Sequence, residues 1–321
     1  PYMRITEETA RQILDMLHEV WEQQFKGREQ EYPHTEWERL RHKVKERLRK
    51  LPVYVAKATA LLHGQKSGRG RPQTLLLQKK LMLFLFTRLL TKSNRGMEDL
   101  LVLFQPLFEC AVSYKYIERL YADEEVQLAL HNLFVLLVHE EGVSGNLSGD
   151  GTGYAVTIHR MYSSDTAKHG KKYRYVFRFI DIETSLYVAY GFSMKSEMDA
   201  FRQALAMASA MGIPIDTVSL DKYYSSRKII GLFGKTVSLY LIPKKNIAKI
   251  GCWKSILERI LEDPVAYLSR FFLRNLSESA HSADKGRFGG FIRQRRPDRQ
   301  EGAMRSINVL HNLYAFRVQP G

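Results

Sequence analysis

The sequence predicts an α/β protein in which a mixed sheet flanked by helices follows an all-helical N-terminal region. Two observations support this fold class. Apolar side chains recur at helical spacing through residues 1–145, and from about residue 146 their period falls to two. The predicted order after that point is three strands, a helix, two strands and further helices, which favours a mixed sheet. We therefore expect a helical domain over 1–145 and an α/β domain over 146–321.

The N-terminal region is predicted to begin with two helices. Thr6 is a natural N-cap for the first, and the T-x-x-E pair of Thr35 and Glu38 opens the second. The second helix is predicted to end at Leu51-Pro52, because the residue before a proline disfavours helical geometry. Its polar faces are predicted to carry a series of cations: Arg39, Arg41, Lys43, Lys45, Arg47 and Arg49.

A basic, Gly-rich stretch at residues 64–72 follows these helices. Its R-G-R-P core contains Arg69 and Arg71 and resembles the core of an AT-hook, a segment that lies in the narrow minor groove of A/T-rich DNA. An ordinary flexible linker has the same composition. The stretch therefore supports DNA binding without establishing it.

Residues 96–121 contain a candidate helix-turn-helix. A helix near Gly96–Phe108, a short turn and a helix with Ser113 at its N-cap would present Lys115 and Arg119 outward. Any helical hairpin has the same pattern, and this segment is net acidic. The basic block beside it favours the DNA-reading interpretation.

The C-terminal half shows the two-residue period of strands. Strands are predicted at about 147–158, 173–182, 186–192, 215–220 and 237–242. Ser196 is predicted to cap the helix between the third and fourth strands, which Gly212 ends. This order predicts a sheet whose first and fourth strands carry acidic residues at or near their ends.

The 321-residue chain carries a net charge of +15, and this charge is unevenly distributed. Residues 39–95 contain 16 Lys or Arg and one Asp or Glu, whereas residues 146–321 contain 27 and 15. The remaining segments, 1–38 and 96–145, are acidic. Solvated helix faces are the ordinary explanation of clustered charge. They do not explain why residues 39–95 carry 16 basic residues for one acidic residue. Two basic blocks favour a polyanionic partner, with nucleic acid ahead of a membrane surface.

Other features of the composition bear on the cellular compartment. No apolar run approaches the ~18 residues that span a bilayer, and the N-terminus lacks the apolar core of a signal peptide. Cys110 and Cys252 match no metal-binding spacing. We expect a cytoplasmic, nucleoid-associated protein with reduced, buried thiols.

Three short motifs carry the candidate chemistry. Asp150 lies in S-G-D-G-T-G-Y, and Asp221 follows the fourth predicted strand in S-L-D-K-Y-Y-S-S. Either aspartate alone is adequately explained as a turn or cap residue. The third motif places Arg274, Glu278 and Lys285 on one face of a helix. An i,i+4 ion pair explains the first two of these residues, but it does not explain the lysine.

Taken together, the three motifs resemble the DDE transposases of prokaryotic insertion sequences. The third one, F271-x2-R274-x3-E278-x6-K285, is similar to the Y-x2-R-x3-E-x6-K signature of one large branch, with Phe271 in place of the tyrosine. The substitution removes a phenolic hydrogen bond and keeps a ring for stacking. The resemblance covers roughly residues 146–321, and the N-terminal half shares only its helical, basic character.

The resemblance implies an RNase H-like catalytic domain with a known chemistry. Asp150, Asp221 and Glu278 would bind two Mg²⁺ ions, for which Mn²⁺ can substitute, and would thereby cut and transfer DNA strands. Arg274 and Lys285, together with Lys222, would hold phosphates. The implied partners are the terminal inverted repeats of the element, the target DNA and a second copy of the chain in a homodimer.

Several alternatives stay open at this point. A metal-dependent nuclease of the same fold would share every ligand, and a non-catalytic DNA-binding protein would explain the charge alone. Tyr223 and Tyr224 could serve a tyrosine recombinase, but the Arg/His cluster that such enzymes need is not found in the sequence. Glu301 competes with Glu278 as the third carboxylate, although a structural role in the first turn of a helix suffices for it.

Overall fold

The computed structural model describes residues 5–27, 34–62, 75–90, 93–109, 111–156, 173–244 and 250–317. The predicted α/β class is confirmed, because a mixed sheet flanked by helices follows an N-terminal helical region. Arg69, Arg71 and Cys110 lie outside the described residues. Cys252 is a free thiol and is half-buried rather than buried. No described helix combines the length and apolarity needed to cross a membrane.

The helical region is built mainly from amphipathic helices. In chain order these are α1 (Glu7–Gln24), α2 (His34–Ala60), α3 (Leu77–Leu89), α4 (Asn94–Leu101), α5 (Gln105–Phe108), α6 (Tyr114–Leu120) and α7 (Glu124–Glu141). The predicted cap of α1 is confirmed, since Thr6 Oγ1 accepts a hydrogen bond from the backbone N–H of Thr9 at 3.2 Å. The single helix predicted near residues 96–108 is instead two short helices, α4 and α5.

Three predictions for α2 are wrong. The helix begins at His34, so Thr35 is not its cap, and it continues through Pro52 to Ala60. The proline removes one backbone hydrogen bond, while Leu51 and Tyr54 on either side of it are buried in the core. Arg47 is also buried rather than displayed, because it faces α7 and its Nε donates to Glu141 at 2.9 Å.

The sheet has five strands in the order β3-β2-β1-β4-β5, and a sixth, β6, also pairs with β1. The strands are β1 (Asn146–Val156), β2 (Tyr173–Asp181), β3 (Tyr187–Ser193), β4 (Thr217–Leu220), β5 (Ser238–Tyr240) and β6 (Phe291–Ile292). The β1–β2 and β2–β3 pairs are antiparallel, and the others are parallel. Five strands lie close to their predicted positions, whereas β6 is too short to have been recognised.

The C-terminal half continues with α8 (Glu197–Ala210), α9 (Arg227–Ile230), α10 (Lys254–Glu262), α11 (Pro264–Phe272), α12 (Asn275–Phe288) and α13 (Pro297–Tyr314). Alternate residues of β2 show which helices cover each face of the sheet. Phe177 and Phe179 pack against Phe201 of α8. Arg178, which points the other way, contacts α12 and α13. The sheet is therefore sandwiched between α8 on one face and α12 with α13 on the other.

The helical region packs directly onto the sheet region. α13 lies against α2, α3 and α7, and α1 lies against α10 and α11. Buried apolar residues from both regions form one hydrophobic cluster. The boundary predicted near residue 145 coincides with the change from α7 to β1, and the division into two domains stays a prediction.

Candidate active site

Asp150 and Asp221 are brought together by the parallel pairing of β1 with β4. Gly149 pairs with Leu220, and each aspartate is the next residue of its chain segment. A side chain at position 149 would collide with Phe177 and Leu220, so glycine is required for this close approach. The sequence prediction that these two carboxylates lie on adjacent strands agrees with the register.

Glu278 reaches the same place from the first turn of α12. Arg274, at the N-cap position of that helix, contacts Glu278 through Nη1, and the same nitrogen is 3.4 Å from Oδ1 of Asp221. The guanidinium therefore lies between two of the three carboxylates. Consistent with this, no three metal-ligating side chains in the described residues are already grouped around one point. Phe271 lies 5.2 Å from the guanidinium, so the ring at this position stacks on the arginine.

Asp150 is a partly buried carboxylate whose pKa lies well above its ordinary value. Burial raises its pKa to about 7, and the negative charges of Glu197, Glu278 and Asp221 act in the same direction. A hydrogen bond from the backbone of Gly151 opposes the shift. The attraction between Asp150 and Lys285 does not offset this burial, so the carboxyl keeps its proton up to about neutral pH.

Glu197 is a fourth carboxylate that sequence reasoning missed. It belongs to the first turn of α8, where acidic residues ordinarily stabilise the helix dipole, and this ordinary role concealed it. Its side chain packs against Gly151, at a point where any Cβ on residue 151 would collide with it. Oε1 of Glu197 accepts a hydrogen bond from the hydroxyl of buried Tyr224 at 2.5 Å. Gly151 thus makes room for a neighbouring carboxylate.

A layer of buried polar side chains supports Asp150 from α12 and β2. Arg178, which pairs with Asp150 in the β1–β2 register, donates from Nη1 to Nδ1 of His281 at 3.1 Å. Nε2 of His281 lies 3.2 Å from the backbone oxygen of Asp150. Because Nδ1 accepts, Nε2 carries the proton and donates it. Burial, together with the charge of Arg178, lowers the pKa of His281 to about 3, so the ring is neutral.

The same face of α12 makes further buried hydrogen bonds. Ser277 Oγ lies 2.6 Å from Ser148 Oγ on β1. Asp284 accepts from the hydroxyl of Tyr187 at 2.7 Å and lies 2.9 Å from Nδ1 of His311. Ser277 and Asp284 had no assigned role in the sequence, and their i,i+7 spacing on one helix face with His281 between them was the available signal. These bonds fix α12 against β1, β3 and α13.

The predicted phosphate-holding cations differ in their surroundings. Lys285 donates from Nζ to Thr152 Oγ1 at 2.6 Å, two residues beyond Asp150 on β1. Burial and the charge of Arg178 lower the pKa of Lys285. Lys222 is exposed next to Asp221. All three motifs of the C-terminal half therefore meet around β1 and β4.

The remaining predicted site residues lie on other elements. Lys115 and Arg119 are exposed on α6, which packs against α4. Glu301 pairs with Arg305 on α13, with Nη2 and Oε1 2.6 Å apart. Tyr224 is buried beneath Glu197, and Tyr223 is 53% exposed. The structural role predicted for Glu301 is thus accounted for by an i,i+4 ion pair.

Comparison with known proteins identifies the family. No family model matches the chain, and no solved structure matches it. Over 316 residues the chain is 54% identical to a protein of Archaeoglobus fulgidus described as a probable transposase for insertion sequence element ISA1214, and the match spans 98% of each chain. The chain belongs to the transposases of insertion sequences.

Proposed function

We propose that this chain binds the terminal inverted repeats of an insertion sequence and cuts and transfers DNA strands with the help of Mg²⁺ bound by Asp150, Asp221 and Glu278. The observation that carries the proposal is the parallel register of β1 with β4. It sets two aspartates side by side, and α12 brings a glutamate to them. Asp221 and Glu278 both contact the guanidinium of Arg274, which is the kind of group that phosphate recognition needs.

The residues present fit a bound divalent cation. Carboxylate oxygens are the ligands that Mg²⁺ prefers, and a bound cation would stabilise the charged form of Asp150, which burial disfavours. A bound metal would polarise a phosphoryl oxygen and lower the pKa of water. Glu278 is 52% exposed in its side chain and held by Arg274, so it would exchange this partner for the metal.

The chain's own cations would position the DNA. Arg274, released from the carboxylates, would form a bidentate contact with a phosphate beside the cut. Lys285 is anchored at Thr152, so its ammonium would hold a second phosphate along β1. Exposed cations of the helical region, Lys115 and Arg119 among them, would contact the terminal repeats.

The proposal is tested by nicking assays on terminal-repeat DNA with Mg²⁺ and with Mn²⁺. Asp221→Asn should bind DNA almost as the unchanged chain does and should lose metal-dependent nicking. Asp15→Asn, an exposed change on α1, is the matched control and should nick normally. Retained nicking by Asp221→Asn would exclude the carboxylate assignment. Hydrolysis without any joined product would favour a nuclease of the same fold.

A further inference from the structure

A short extended segment after α12 displays one aromatic and two basic side chains on the same side. Phe291, Arg293 and Arg295 are exposed, with Phe291 at 66%, whereas Ile292 and Gln294 between them are buried. The alternation is that of a strand. Neither arginine has an acidic partner within the part of the chain that the structure describes.

The backbone of this segment is fixed at both ends. Phe291 and Ile292 pair with Ala155 and Val156 of β1. The amide of Gln300 on α13 donates to the backbone oxygen of Gln294 at 2.9 Å and to that of Arg295 at 3.2 Å. The three exposed side chains are therefore presented by a held backbone rather than by a free loop.

These side chains border a cleft of about 290 Å³, which we call the arginine cleft. It is lined by Phe291, Arg293 and Arg295 from this segment, Arg88 from α3 and Glu118 from α6. Arg88 is 9% exposed, and its Nε donates to Ser306 Oγ at 3.0 Å, which holds its guanidinium in place. Glu118 is neutralised by an ion pair with Arg299. The lining therefore keeps an excess of positive charge.

The spacing within the cleft fits the backbone of a DNA strand. Side chains two residues apart on a strand are separated by about 7 Å, and successive phosphates of one DNA strand are about 3.4 Å apart along the helix axis. Because the strand also winds around this axis, neighbouring phosphates lie farther apart in space than the axial rise, and Arg293 and Arg295 match two neighbouring phosphates of one strand. An exposed aromatic ring beside such cations is the arrangement on which an unstacked base is held.

The cleft also lies in line with the candidate active site. β6 pairs with Ala155, five residues beyond Asp150 on β1, which corresponds to about 17 Å. Lys285 contacts Thr152 on the way between them. In a paired duplex that runs along β1, with a rise of about 3.4 Å per step, this distance is about five base pairs.

We propose that the arginine cleft is a second DNA-contact site, in which Arg88, Arg293 and Arg295 hold the phosphates of one strand and Phe291 stacks on an unpaired base near the cut. This inference rests on the proposed function, because it assigns a place to DNA that runs past the carboxylates. A polyanion without bases would use the arginines and leave Phe291 without a role.

The test measures binding by full-length protein that carries Asp221→Asn, so that cleavage does not interfere. The probes are a fluorescein-labelled duplex of about 30 base pairs and the same duplex with a short unpaired bubble, each titrated at several salt concentrations. Arg293→Ala with Arg295→Ala should reduce the slope of log affinity against log salt by about two on both probes. Arg296→Ala is the matched control, because Arg296 is an exposed neighbour already paired with Asp298.

Phe291→Ala should weaken binding of the bubble probe about fivefold or more and barely affect the paired duplex. An unchanged salt slope in the double variant, or a loss equal to that of Arg296→Ala, overturns the proposal. Equal effects of Phe291→Ala on both probes overturn the stacking role. A third outcome is that the unchanged chain fails to nick DNA while the double variant still shows the reduced salt slope. That result would support DNA binding in the arginine cleft and contradict the proposed function.

Discussion

His281 donates a hydrogen bond from Nε2 to the backbone oxygen of Asp150 across 3.2 Å, and this bond joins α12 to β1 at the carboxylate itself. Glu278 lies one turn earlier on the same helix. The position of the glutamate relative to the aspartate is therefore set by a neutral, buried histidine. His281 is a positioning residue of the candidate site.

His281→Ala should lower the free energy of unfolding by about 1–3 kcal/mol, because Arg178 and the Asp150 carbonyl each lose a buried partner. The nicking rate should fall while DNA affinity is kept, since the change displaces Glu278 rather than the phosphate contacts. Chemical denaturation and nicking kinetics measure the two effects. His42→Ala, at an exposed position of α2, should change stability by no more than about 0.5 kcal/mol. Full nicking by His281→Ala would remove the positioning role.

The raised pKa of Asp150 makes stability depend on pH in the absence of metal. In the unfolded chain this carboxyl loses its proton near its ordinary pKa of 3.8, but in the folded chain it does so at about 7. Between these values the folded state binds more protons, so the free energy of unfolding falls as pH rises, and the contribution is lost above about pH 7. Thermal unfolding in EDTA from pH 5 to pH 8 measures this loss.

Asp150→Asn should be the more stable protein at pH 8, and the difference should shrink towards pH 5, because asparagine stays neutral. Adding Mg²⁺ at pH 8 should stabilise the unchanged chain and have little effect on this variant. If both proteins respond to Mg²⁺ equally, the ion binds elsewhere.

Arg274 and a metal ion compete for the same oxygens of Asp221 and Glu278. Without DNA, Arg274→Gln should therefore bind Mn²⁺ about fivefold more tightly, equivalent to about 1 kcal/mol for the loss of two partly exposed ion pairs. Nicking should nevertheless fall, because the phosphate contact is lost. Titration calorimetry measures the first effect. Arg305→Gln removes a comparable i,i+4 pair on α13 and should leave Mn²⁺ affinity unchanged; weaker Mn²⁺ binding by Arg274→Gln would contradict the competition.

The exposed cations of α6 supply a separate test of DNA binding by the helical region. Lys115→Ala with Arg119→Ala should reduce the salt dependence of terminal-repeat binding by about two in the log–log slope if each contacts a phosphate. Lys26→Ala, whose ammonium is already paired with Glu22 at 2.8 Å, should leave the slope unchanged. Identical slopes in the two variants would place the terminal repeats on another surface.

The spacing of apolar residues and the helix-capping residues predicted the strands and most of the helices, because both signals lie within short stretches of sequence. The same local rule failed at Pro52, where burial of Leu51 and Tyr54 in the core outweighs one lost backbone bond. Asp150, Asp221 and Glu278 were predicted from their motifs, and the structure brings the three side chains near one another. Glu197 was missed because its contact with Gly151 joins residues 46 positions apart, and a helix-start glutamate has an ordinary explanation.

Which glutamate completes the site is decided by a paired substitution. Glu278 shares Arg274 with Asp221 and acts on the pKa of Asp150, whereas Glu301 pairs with Arg305 on α13. Both pairs are i,i+4 and worth about 0.3–0.5 kcal/mol, so neither change should unfold the chain. Glu278→Gln should bind DNA and fail to nick it with Mg²⁺ or Mn²⁺, while Glu301→Gln keeps measurable nicking. If Glu301→Gln is inactive and Glu278→Gln still cuts, the third carboxylate belongs to α13 instead of α12.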